Sequence, residues 1–169
     1  GATLCFVLTL AAQAAQTLTL DNLAELAGAQ GRQAYLDQQL GPYTGAMRRL
    51  DALDASAQVL FLWEPRTYLT RARVEPDAFI DNFNALYRRC GDAAGITHCL
   101  RTAGYTHVLL YQTGMWYVRD QPSAKDPPGQ WAALDTARAS WTAIYRDAAP
   151  LPGRTDAGWY VLYALPATP

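Results

Sequence analysis

The segment VLFLWEPRTYLTR, residues 59–71, runs through five apolar side chains and then sets Glu64, Arg66 and Tyr68 at alternate positions. A carboxylate there has the chemistry of a general base, and a guanidinium can grip a phosphate or carboxylate through two parallel hydrogen bonds. The same residue types also satisfy one another. With Pro65 fixing the chain between them, Glu64 and Arg66 can pair with each other or with loop backbone and so close the end of a strand. The dipeptide Trp116-Tyr117, after Thr113-Gly114, adds two flat faces that could stack on carbohydrate or lipid, or pack in the core or a loop. The candidate ligand-binding residues are therefore Glu64, Arg66, Tyr68 and Trp116, and no residue is assigned a catalytic role.

The remaining polar residues carry less. His107 stands near the start of an apolar run, which in an open α/β sheet is the wrong end for catalysis, and it reads as a core histidine bonded to backbone. His98 has no carboxylate at ligand spacing, and Asp51 and Asp54 flank a turn as solvated residues. No GxSxG, GxGxxG, phosphate-binding loop or HExxH pattern occurs, so neither a metal nor a cofactor is expected. Cys5, Cys90 and Cys99 form no CxxC pair. Cys90 and Cys99 could join across the flexible GDAAG loop in an oxidising compartment, but two free thiols are the default expectation.

The elements that must position these residues follow from periodicity. The unbroken run at 59–63 suits a strand covered on both faces, and YTHVLLY, at 105–111, suits another. Between them, Glu75-Pro76-Asp77 opens a helix over 78–90 that buries Phe79, Phe83, Leu86 and Tyr87, and a second helix over 96–103 ends at Gly104. Strand, helix pair, strand is a crossover unit, which makes the two strands parallel neighbours. Upstream, Asp21 caps a short helix, and apolar spacing in RQAYLDQQLGPYTGAMRRLDAL gives two helices broken at Gly41-Pro42. Downstream lie a proline-rich loop at 121–128 and a helix over 130–142 with Trp131, Leu134, Ala137 and Trp141 on one side. Residues 143–148 continue that helix or form a partner strand, and a final strand covers 159–165. The expected fold class is α/β: a small mixed sheet with a parallel core pair near 58–64 and 106–112 and a C-terminal strand at 158–165, covered by helices.

Composition bounds the rest. A chain of 169 residues at 50% hydrophobic content supports one sizeable core. With 14 Lys and Arg against 15 Asp and Glu there is no basic field to draw nucleic acid. Residues 1–20 contain no charge. They read as a packed helix or as the exit end of a membrane helix, ahead of a single soluble α/β domain at 21–169.

The succession GRQAYLDQQLGPYTGAMRRLDAL, AQVLFLWEPRTYLTR, PDAFIDNF, LRTAGYTHVLLY and YVLYALP resembles the soluble C-terminal region of large bacterial membrane glycosyltransferases. These are the multi-spanning GT-C-type proteins related to family 39 and to dolichyl-phosphate-mannose protein mannosyltransferases. The resemblance implies a domain on the extracytoplasmic face of the cell membrane, following the last membrane helix, with the membrane-embedded part of the same polypeptide as its partner. The catalytic carboxylate of such proteins lies in an early loop between membrane helices and has no counterpart here, so the isolated chain is expected to be inactive. Glu64, Arg66, Tyr68 and His107 match recurrent positions. The implied role is a non-catalytic accessory domain contacting an acceptor or a polyprenyl-phosphate-linked sugar. The family's ending also favours a strand at 143–146, antiparallel to 159–165. The competing reading is a free-standing small α/β enzyme or sugar-binding module that uses Glu64 and Arg66.

Overall fold

The computed structural model describes residues 31–121, 126–150 and 158–167. The apolar segment 1–20 and the helix begun at Asp21 lie outside the described residues. The chain divides into two compact units, Gly1–Gly41 and Pro42–Pro169. In the first unit, helix α1 spans Arg32–Leu40 and ends on Gly41, whose φ of 51° is in the left-handed region.

In the second unit, α2 (Pro42–Asp51) is followed by β1 (Gln58–Leu62), β2 (Arg73–Glu75), α3 (Asn82–Cys90), α4 (Ala93–Thr102) and β3 (His107–Tyr111). Then come α5 (Gln112–Asp120), α6 (Gln130–Ser140), β4 (Thr142–Arg146) and β5 (Tyr160–Ala164). The sheet order is β2-β1-β3-β5-β4. β1 runs parallel to both β2 and β3, and β5 runs antiparallel to β3 and β4. The parallel core pair is as expected, and the segment after α6 is a strand rather than more helix.

Both faces of the central strands are covered, which is why their sequences do not alternate. Leu60, Leu62, Val108, Leu110, Val161 and Tyr163 join the main core beneath α3, α4 and α6. Their neighbours of opposite parity, Val59, Phe61, Leu109 and Leu162, are buried on the other face. There α2 supplies Tyr43, Met47 and Leu50, spaced so that all three lie on one helical stripe.

Two expectations need correction. The helix after β2 begins at Asn82 rather than residue 78, which leaves Phe79 91% exposed instead of buried. The cause is Asp77, fully buried, whose Oδ1 accepts from the backbone N–H of Asp81 (2.9 Å) and Asn82 (3.1 Å) and so fixes the helix start five residues downstream. Second, β2 is an additional three-residue edge strand where helix was expected to begin; exposed Arg73 and Glu75 flank Val74 and leave the sheet a charged edge. Residues 112–120, to which periodicity assigns no element, form α5, which carries Trp116 and Tyr117.

Cys90 and Cys99 are joined as a disulfide, where two free thiols were the default expectation. It links the end of α3 to α4. A Cβ on Gly95 would lie 2.1 Å from the Cys90 carbonyl oxygen, so the two helix ends meet at a distance only glycine permits. Closing a loop of this length contributes about 2–3 kcal/mol by restricting the unfolded chain.

Candidate functional site

The polar cluster is built where the chain leaves β1. Trp63 has φ of +62°, rare for a bulky residue and costing ~1–3 kcal/mol. Three contacts over-determine it: its N–H donates to Asp77 Oδ2 at 2.8 Å, and its ring packs against Phe83 (5.6 Å) and stacks on Trp131 (5.8 Å). Trp63 thereby joins the same core as Leu62, and the strand's alternation ends. A Cβ on Gly114 of α5 would lie 2.8 Å from the Trp63 Cβ, so glycine is what lets the helix pass the turned residue.

Beyond this turn the Glu64 carboxylate is fully buried. Its Oε1 accepts from the Arg66 backbone N–H (2.9 Å) and from Arg66 Nε (2.8 Å). Its Oε2 accepts from Arg66 Nη2 (2.8 Å) and from the Tyr160 hydroxyl, which itself accepts from Arg66 Nη2 at 2.6 Å. The guanidinium lies 4.4 Å from the centre of the Tyr43 ring and 5.9 Å from that of Tyr111, which stacks on Tyr160 at 5.0 Å. Tyr68 packs beside Tyr43 at 5.5 Å and is 62% exposed. Arg66 thus stands in a tyrosine surround with its side chain 36% exposed. Among the described residues nothing accepts a hydrogen bond from its Nη1.

The electrostatics follow the geometry. Glu64 bonding raises the pKa of Arg66 and keeps it charged. Burial, then the Glu64 charge, pushes the Tyr160 hydroxyl well above its ordinary value, and burial with the same carboxylate takes Tyr43 up to about 12. Asp77 is raised by burial against three backbone bonds that pull it down. With four donors on two oxygens, Glu64 has no lone pair left for a substrate proton, so the cluster is not arranged as a general base. It does offer a cation held rigidly at the surface beside an exposed ring.

The structure therefore brings Glu64, Arg66 and Tyr68 together and leaves Trp116 apart. Trp116 packs against the core on the α3, α4 and α6 face, with the Arg119 guanidinium 5.0 Å from its ring. His107 is half-buried, and its Nδ1 lies 2.7 Å from the Thr106 hydroxyl rather than on backbone; burial, then Arg101, lowers its pKa. Asp51 is less idle than expected: it accepts from Thr70 Oγ1 (2.6 Å) and the Arg71 N–H (2.7 Å), tying the loop after β1 to the end of α2. Sequence reasoning missed Tyr43, Tyr111, Tyr160 and Asp77 as members of the site. Tyr43 belonged to an apolar helical pattern and Tyr160 to the last strand, and 96 positions separate Tyr160 from Glu64. No group of His, Cys, Asp and Glu among the described residues is placed to hold a metal. No helix among them is long and apolar enough to cross a membrane.

In comparisons with known proteins, no protein-family model, no curated protein and no solved structure matches the chain.

Proposed function

We propose that the chain is a non-catalytic accessory domain of a membrane glycosyltransferase, lying on the extracytoplasmic face and contacting a phosphate-linked sugar or the acceptor through Arg66 and Tyr68. The observation that carries the reading is the state of the strand-end cluster. Glu64 is spent on holding Arg66, while Nη1 of that guanidinium stays open beside an exposed tyrosine ring. A fixed guanidinium recognises a phosphate, and a flat ring packs against the apolar face of a sugar. The Cys90–Cys99 disulfide agrees with an oxidising compartment, and the sequence resemblance supplies the class of parent protein.

Titration of the isotope-labelled chain with glucose 1-phosphate, followed by NMR, tests the ligand contact. The Arg66 side-chain resonance and the Tyr68 ring are expected to shift, Tyr68→Ala is expected to weaken the effect with the fold intact, and the sugar phosphate is expected to survive unchanged. Absence of any shift at Arg66, or turnover of the compound, would overturn the reading.

A further inference from the structure

A second place in the fold, apart from the strand-end cluster, is a cavity with an unpaired cation in its wall. Between α4 and α6, with Pro166 and Ala167 also in its lining, lies an open cavity of about 470 Å³, within the range of small-molecule sites. Most of its wall surface is apolar, although Thr97, His98, Arg101, Thr136 and Ser140 stand among the lining residues with three alanines and Pro166. The hydroxyls that face it are largely used by the protein: Thr97 Oγ1 donates to the Ala93 carbonyl and accepts from Trp141 Nε1, and Ser140 Oγ donates to the Ala137 carbonyl.

The exception is Arg101. Among the described residues no carboxylate lines the cavity and Arg101 has no acidic partner. Its one acceptor among the described residues is the Tyr105 carbonyl, 3.4 Å from Nη1, and its buried Nε has none there. A buried donor without an acceptor costs ~1–3 kcal/mol and calls for an explanation. His98, one turn earlier on α4, lines the same side.

We propose that this cavity binds a long-chain monocarboxylate, its alkyl chain between α4 and α6 and its head group on Arg101. The apolar walls select a chain, and the unpaired guanidinium selects an anion. A single cation balances one negative charge, which favours a carboxylate over a phosphate dianion. The site is independent of the strand-end cluster, which lies on the other face of the sheet.

Calorimetric titration of the full chain with dodecanoate and with dodecanol, both below their aggregation concentrations, tests it. Dodecanoate is expected to bind about tenfold or more tighter than dodecanol, as a charge-assisted bond is worth. Arg101→Gln is expected to bring dodecanoate to the level of the alcohol, and Ala94→Trp, which fills the cavity from an exposed helix position, to abolish both. No binding of dodecanoate, equal binding of the two probes to the wild type, or undiminished binding to Ala94→Trp would overturn the proposal. The probe ratio on the wild type and the Ala94→Trp result decide the matter even where Arg101→Gln fails to fold.

Discussion

At the scale of the residue, Glu64 and Arg66 are unequal partners, because one is fully buried and the other a third exposed. Removing the cation strands a carboxylate in the core, whereas removing the carboxylate leaves a guanidinium that can still reach water. Arg66→Met should therefore cost about 3–5 kcal/mol and Glu64→Gln less, roughly 2–3 kcal/mol, with the double variant milder than the sum. Urea denaturation of the three variants measures this, and small additive effects would contradict the pairing. The pair was legible in the sequence because both residues sit on one short exit with proline between them. The tyrosine surround was not, since its rings come from α2, β3 and β5 and meet only through the tertiary fold. Asp77 was read as a first-turn helix residue, but it serves β1 and α3 at once from the loop between β2 and α3.

At the scale of the element, the turn at Trp63 and the packing of α5 against it form one device. Helix propensity alone would make Gly114→Ala stabilising by ~1 kcal/mol. The added methyl would instead lie 2.8 Å from the Trp63 Cβ and 2.9 Å from its carbonyl oxygen. Overpacking of that kind costs about 1–3 kcal/mol, so a net loss of stability is expected, and a rise in melting temperature would contradict the account. Strands buried on both faces were readable from unbroken apolar runs such as VLFL and VLLY. A three-residue edge strand carries almost no periodic signal, which is why β2 escaped. The α5 helix escaped because Gly114 is a weak helix former, held there by close packing that sequence does not display.

At the scale of the whole molecule, the core is closed by phenols that resist ionisation. Tyr43 is held up to about 12 in the folded chain against an ordinary value of 10.0, and Tyr105, Tyr145 and Tyr160 are also raised, each chiefly by burial. A folded pKa above the unfolded one means that the unfolded chain loses its protons first as pH rises. Stability contributed by these groups is therefore fully present below pH ~10 and falls as pH climbs toward ~12. Denaturant midpoints followed across this range should be flat at first and then drop, with tyrosinate absorbance rising cooperatively with unfolding. Smooth ionisation of all phenols near pH ~10 without loss of structure would contradict it. The α/β class and the parallel pair followed from sequence because they depend on local pattern, whereas the disulfide depends on two helix ends meeting at Gly95. The claim that organises the rest is a domain displayed on the extracytoplasmic face of a membrane protein. It is tested most directly by treating intact cells that make the full gene product with a reductant and then a membrane-impermeant maleimide. The account predicts that Cys90 and Cys99 react only after reduction, without breaking the cells, and that the labelled product is in the membrane fraction. Free thiols that react only after lysis, in a product found in the soluble fraction, would contradict it.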